Sequence, residues 1–101
     1  AFSKATVVDG IVYVSGTGAD PSHIGLGKPG FESVSEEARQ ALLNVSRILE
    51  AAGSKLDSDH VISAAMLLNP KTLSDADVYR QCNEEYLRHF DPARLPARST
   101  Q

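Results

Sequence analysis

Two stretches constrain the fold of this chain more than any other feature. Ile11-Val12-Tyr13-Val14 and Val61-Ile62-Ser63-Ala64-Ala65-Met66-Leu67-Leu68 read as β-strands whose apolar residues fall at consecutive positions instead of alternating with polar ones. Successive side chains of a strand point to opposite faces, so such runs call for cover on both sides of a sheet. The remaining sequence supplies only two helices to provide it.

The elements follow from local chemistry. Lys4 to Val8 and Ile11 to Ser15 flank Asp9-Gly10, a pair that favours a tight two-residue hairpin turn. Gly16 to Glu32 holds five glycines and two prolines without periodicity, the composition of a functional or interface loop. Ser33 and Glu36 form a capping-box pair. Behind them Val34, Ala38, Ala41, Leu42, Val45, Ile48, Leu49 and Ala52 recur at helical steps until Gly53. The opposite face of this helix, Glu37, Arg39, Gln40, Ser46, Arg47 and Glu50, reads as solvated. Asn69-Pro70 ends the long apolar strand, and a second helix is expected from Ser74, with Asp77 as a weaker capping partner. Val78, Cys82, Tyr86 and Phe90 form its apolar stripe. Pro96 disfavours helix for the residue before it, so Leu95 to Thr100 reads as the start of a further strand.

The order hairpin, helix, strand, helix, strand predicts an α+β fold, a mixed β-sheet with two helices packed on one face. No helix is left for the other face. Burial of that face against further copies of the chain is therefore expected, since monomers seldom expose large apolar patches.

The 101 residues suit one domain spanning 1–101. A net charge of −3, with the basic residues dispersed, gives no electrostatic footprint for nucleic acid. No apolar run approaches the length of a membrane span, so no membrane partner is expected. One cysteine, Cys82, and the absence of a leader-like segment before Phe2 fit a reducing compartment: the cytoplasm, or the mitochondrion of a eukaryote. The sequence begins without methionine and ends in mid-strand at Gln101, so residues are expected beyond one or both ends.

Chemistry has few places to reside. His23, His60 and His89 are far apart and Asp57, Asp59 and His60 share a polar turn, which gives no metal-ligand pattern. Gly16-Thr17-Gly18 lacks the third glycine and the helix of a dinucleotide loop. Neither Ser15 nor Cys82 has a base marked for it. Arg98 remains, at the start of a strand, with Ser15 and the following glycines at the end of another. An arginine in a cleft can hold a carboxylate by two parallel hydrogen bonds, whereas the bland alternative is a surface arginine beside an acid. The combination suits a small acid.

The sequence resembles the RidA/YjgF family of imine deaminases. The likeness runs through Val12-Tyr13-Val14-Ser15-Gly16, Glu37-Ala38-Arg39-Gln40-Ala41-Leu42 with Asn44-Val45, Leu49-Glu50-Ala51-Ala52-Gly53, Asn83 with Tyr86 and Phe90, and Pro96-Ala97-Arg98-Ser99. It implies a chorismate-mutase-like fold, a homotrimer whose sheets form a barrel, and clefts between subunits that bind small 2-imino or 2-oxo acids. It further implies hydrolysis of reactive enamines and imines to 2-oxo acids and ammonia, with no cofactor and no metal. Arg98 matches the family's carboxylate-gripping arginine, Ser15 and Gly16 match positions lining the cleft, and Asn83 matches a helix residue near it. Phe2 stands where the deaminases commonly carry tyrosine, and Thr100 where many carry cysteine. The family's water-orienting glutamate lies on a strand later than Gln101, so the domain is expected to lack its C-terminal strand or strands here. The alternative is a trimeric carboxylate-binding or regulatory protein without efficient hydrolysis.

Overall fold

The computed structural model describes residues 3–19, 33–68 and 75–100. In chain order these form β1 (Ala5–Val8), β2 (Ile11–Val14), α1 (Val34–Ala51), β3 (Ser63–Met66), α2 (Asp75–Leu87) and β4 (Ala97–Thr100). The Asn69-Pro70 stop, the Ser74 cap and most of the glycine-rich loop lie outside the described residues.

β1 and β2 pair antiparallel, with Val8 opposite Ile11 and Ala5 opposite Val14. Asp9 and Gly10 both have positive φ, 50° and 77°, the geometry of the expected tight turn. Ser15 N–H bonds to the Lys4 carbonyl at 2.9 Å and carries the ladder one residue further. Ala5, Val12 and Val14 are half-buried on the face nearer α1, whereas Val8, Ile11 and Tyr13 on the other face are exposed.

Helix α1 starts and stops as its sequence predicts. Ser33 is extended and its hydroxyl accepts from Glu36 N–H at 3.1 Å. Glu36 and Glu37 place negative charge in the first turn, where the helix dipole favours it. At the other end Gly53 N–H bonds to Glu50 O and Ser54 N–H to Leu49 O, with Gly53 at φ 85°. This is the paired-bond glycine stop, and any other residue at position 53 would be strained.

The core lies where α1 meets α2: Leu49, Val78, Cys82, Tyr86 and Phe90 are buried, the first three stripe residues on α2 itself and Phe90 in the turn that follows Leu87, where the expected helix has already ended. The Tyr86 and Phe90 rings pack at 4.8 Å between centroids. Two polar contacts join the same helices, Ser35 Oγ to Gln81 at 3.2 Å and Arg39 to the buried carboxylate of Glu85 at 3.1 Å. Arg39 is solvent-exposed, as expected of its face, yet it also neutralises Glu85.

The expected single mixed sheet needs correction. The described strands form two separate two-stranded sheets, β1 with β2 antiparallel and β3 with β4 parallel. The turn at Asp9-Gly10 and the crossover through α2 each specify one strand pair. No ladder among the described residues joins the pairs, and the ordered strands are only four residues long. β3 is shorter than its apolar run, and Ile62 and Leu67 at its ends are 70% and 77% exposed.

Below the parallel pair, two connections are tied together. Asp57 Oδ1 accepts from the N–H groups of Asp59 and His60 and lies 2.7 Å from His60 Nδ1. Ser58 Oγ accepts from Asp91 N–H, and Arg94 bridges Asp59 at 2.6 Å and Asp91 at 3.4 Å. The segment that delivers Leu95, Pro96 and β4 is thus anchored to the segment that precedes β3.

Candidate carboxylate-binding site

Arg98 sits second in β4, opposite Ala64, and its half-buried side chain reaches α2. Nη1 donates to Asn83 Oδ1 at 2.7 Å and Nη2 donates to the Tyr79 hydroxyl at 3.1 Å. Cζ lies 4.7 Å from the centroid of the Tyr86 ring and 5.7 Å from that of Tyr79. Positions 79, 83 and 86 are four and three apart, so α2 presents all three to Arg98 from one face.

The arrangement holds the cation without neutralising it. Both hydrogen-bond partners are uncharged, and a ring face stabilises positive charge through its quadrupole. A guanidinium has five N–H donors; two are used by Asn83 and Tyr79, which leaves three for a ligand. Two of them can take a carboxylate in a forked pair. Burial pushes the Tyr86 phenol up, and the Arg98 charge opposes that rise. Tyr86 therefore stays a neutral ring under the cation, and its buried hydroxyl has no hydrogen-bond partner among the described residues.

The residues expected at the site divide into three groups. Arg98 and Asn83 are in direct contact, and Thr100 is half-buried two residues along β4 on the same face as Arg98. Ser15 and Gly16 lie at the end of the hairpin, where the Ser15 hydroxyl donates to the Ser3 carbonyl and Thr17 donates to the Ser15 carbonyl. Among the described residues the hydrogen bonds of Ser15 thus go to its own hairpin and not to Arg98. A Cβ on Gly16 would meet nothing within 4 Å. Phe2 lies outside the described residues.

Four further residues bear on the site. Tyr79 and Tyr86 complete the cage around Arg98, and the spacing of Tyr79, Asn83 and Tyr86 is the signal that could have grouped them. Asn44 is buried on α1, where it donates to the Gly18 carbonyl at 3.0 Å and accepts from Gln40 at 2.9 Å. It fastens the segment after Ser15 to the helix. Cys82 behaves as a packing residue: burial, and then Glu37, raise its pKa away from the thiolate form.

The family model described as Endoribonuclease L-PSP matches residues 1–101. The chain belongs to the RidA/YjgF family. It is 42% identical over 100 residues to the 2-iminobutanoate/2-iminopropanoate deaminase of Rattus norvegicus, covering 98% of this chain and 65% of the relative. To the human protein of the same name it is 38% identical over 99 residues, covering 97% of this chain and 64% of the relative. The chain thus spans just under two thirds of the length of these curated relatives. The crystal structure of RidA from an Antarctic Psychrobacter superposes with a TM-score of 0.73 at 29% identity, over 99% of this chain and 72% of that one. The α+β architecture with two helices and small sheets is therefore that of RidA/YjgF proteins. Among the described residues no helix is long and apolar enough to cross a membrane.

Proposed function

We propose that this RidA/YjgF protein hydrolyses reactive 2-imino acids, and the enamines that tautomerise to them, to 2-oxo acids and ammonia. The observation that carries the reading is Arg98, a cation held by neutral partners with three donors left over. Deaminase names among relatives at 38–42% identity support it. Arg98 grips the carboxylate and fixes the adjacent C2. Water attacks the protonated imine carbon and forms a C–O bond as it loses a proton. The nitrogen takes up a proton, the C–N bond breaks with its electron pair leaving on ammonia, and the C2 carbonyl forms as the hydroxyl proton departs. An iminium carbon is already electrophilic, so positioning and one acid-base group suffice. No cofactor enters this scheme.

The cleft is completed in a trimer. Ser15 and Gly16, with Phe2, of one subunit line the pocket of Arg98, Asn83 and Thr100 of another, and the exposed face of Val8, Ile11 and Tyr13 is covered in the assembly. A net charge of −3 speaks against RNA as the substrate. The test mixes the protein with an imine generated in situ from an amino acid and follows ammonia release. Release faster than in buffer is expected. Release at the buffer rate, with 2-oxobutanoate still bound, would replace hydrolysis by a carboxylate-binding role.

A further inference from the structure

The phenol oxygen of Tyr79 accepts from Arg98 Nη2 at 3.1 Å. Accepting uses a lone pair and leaves the O–H proton available to donate. The two tyrosines around Arg98 differ in position: Tyr86 is 5% exposed with its ring 4.7 Å from Cζ, whereas Tyr79 is 42% exposed with its ring 5.7 Å away. Tyr86 is the floor of the cage, and the Tyr79 hydroxyl stands at its solvent-facing rim, next to one tip of the cationic fork.

We propose that Tyr79 is a ligand-binding residue in its own right, its hydroxyl donating to the carboxylate that Arg98 grips. The proposal rests on the reading of Arg98 as carboxylate anchor and deepens it. A small 2-oxo or 2-imino acid is then held by guanidinium N–H groups and one phenolic O–H together. The two donors are coupled, because a phenol oxygen that accepts from a cation gives up its own proton to an anion more readily. The hydroxyl also caps the Nη2 side of the fork, so a carboxylate enters along the edge that Tyr79 and Asn83 leave open.

Tyr79→Phe keeps the ring and removes only the hydroxyl, and the exposed position allows the variant to fold. Calorimetry with 2-oxobutanoate should show a Kd raised about 5- to 30-fold. In parent protein carrying [13Cζ]tyrosine, the resonance that disappears in Tyr79→Phe should move on addition of the acid. A Kd within twofold of the parent, or an unmoved Tyr79 resonance, overturns the proposal; if Tyr79→Phe fails to fold, the Tyr79 resonance is assigned by elimination from Tyr13→Phe and Tyr86→Phe, since the sequence holds three tyrosines. If the parent binds the acid but releases no ammonia from an imine, the deaminase reading falls while Tyr79 is still judged on binding. A parent that binds no carboxylate overturns both.

Discussion

The guanidinium carbon of Arg98 stands 4.7 Å from the centroid of the Tyr86 ring, joining the last strand to the buried stripe of the second helix. Tyr86 both packs on Phe90 and carries the cation. The core and the proposed site therefore share a wall, and the precision of the site depends on the packing of α2.

Asn83 is expected to act through Arg98. Asn83→Ala removes the acceptor 2.7 Å from Nη1 and should weaken 2-oxobutanoate binding about 3- to 10-fold. Asn83→Asp should weaken it more, because the new carboxylate competes with the ligand for the same cation. Calorimetry on both variants checks the order, and Asp binding better than Ala would contradict it.

Asn44 is expected to matter for stability. It is 6% exposed and bonds both Gln40 and the Gly18 carbonyl, so Asn44→Ala removes two part-buried hydrogen bonds and should cost about 1–2 kcal/mol. Denaturant unfolding with an unchanged slope would register this as a lower midpoint. An unchanged midpoint would mean that the Gly18 segment is not held from α1.

Acid should destabilise the fold in two windows. Burial lowers the pKa of His89 below 6.5, so the folded state favours the neutral ring; stability is full above 6.5 and is lost as pH falls through the folded value. Glu85 opposes this shift. The hydrogen bond from His60 holds Asp57 below 3.8, so its contribution is present above that value and lost below it. Melting temperature should fall between about pH 7 and 5, and His89→Gln should flatten that limb while leaving the lower one. An unchanged slope in His89→Gln would assign the upper limb to another group.

Much of this was legible in the sequence where a few residues decide the outcome. Asp9-Gly10 sets the hairpin, Ser33 and Gly53 bound α1, and the four-residue spacing of Val78, Cys82 and Tyr86 marks the buried face of α2, with Phe90 buried just beyond its end. The joining of strand pairs was not legible, because it depends on which edges meet in space. Arg39 shows the same limit: its side chain reads as solvated and is so, but its pairing with buried Glu85 follows from how α1 and α2 cross. Tyr79 is not legible as a site residue, because an exposed tyrosine on a helix looks like any surface residue until β4 brings Arg98 beside it. Ser15 and Gly16 came from family likeness, and their link to Arg98 requires a neighbouring subunit.

Trimer formation follows from the same reading. Sedimentation at micromolar concentration should give three copies, and Tyr13→Asp, on the exposed hairpin face, should shift the balance to smaller species. A compact parent monomer at every concentration would remove the shared cleft.

The central claim is that Arg98 anchors a small carboxylate, and its most direct test is the affinity of Arg98→Ala for 2-oxobutanoate, measured on folded protein. Loss of the charge-assisted fork should raise Kd about 10- to 150-fold, with Arg98→Lys recovering only part because a point charge lacks the two-pronged geometry. Affinity equal to that of the parent would make Arg98 a structural residue bonded to Asn83 and Tyr79 and would place the acid elsewhere.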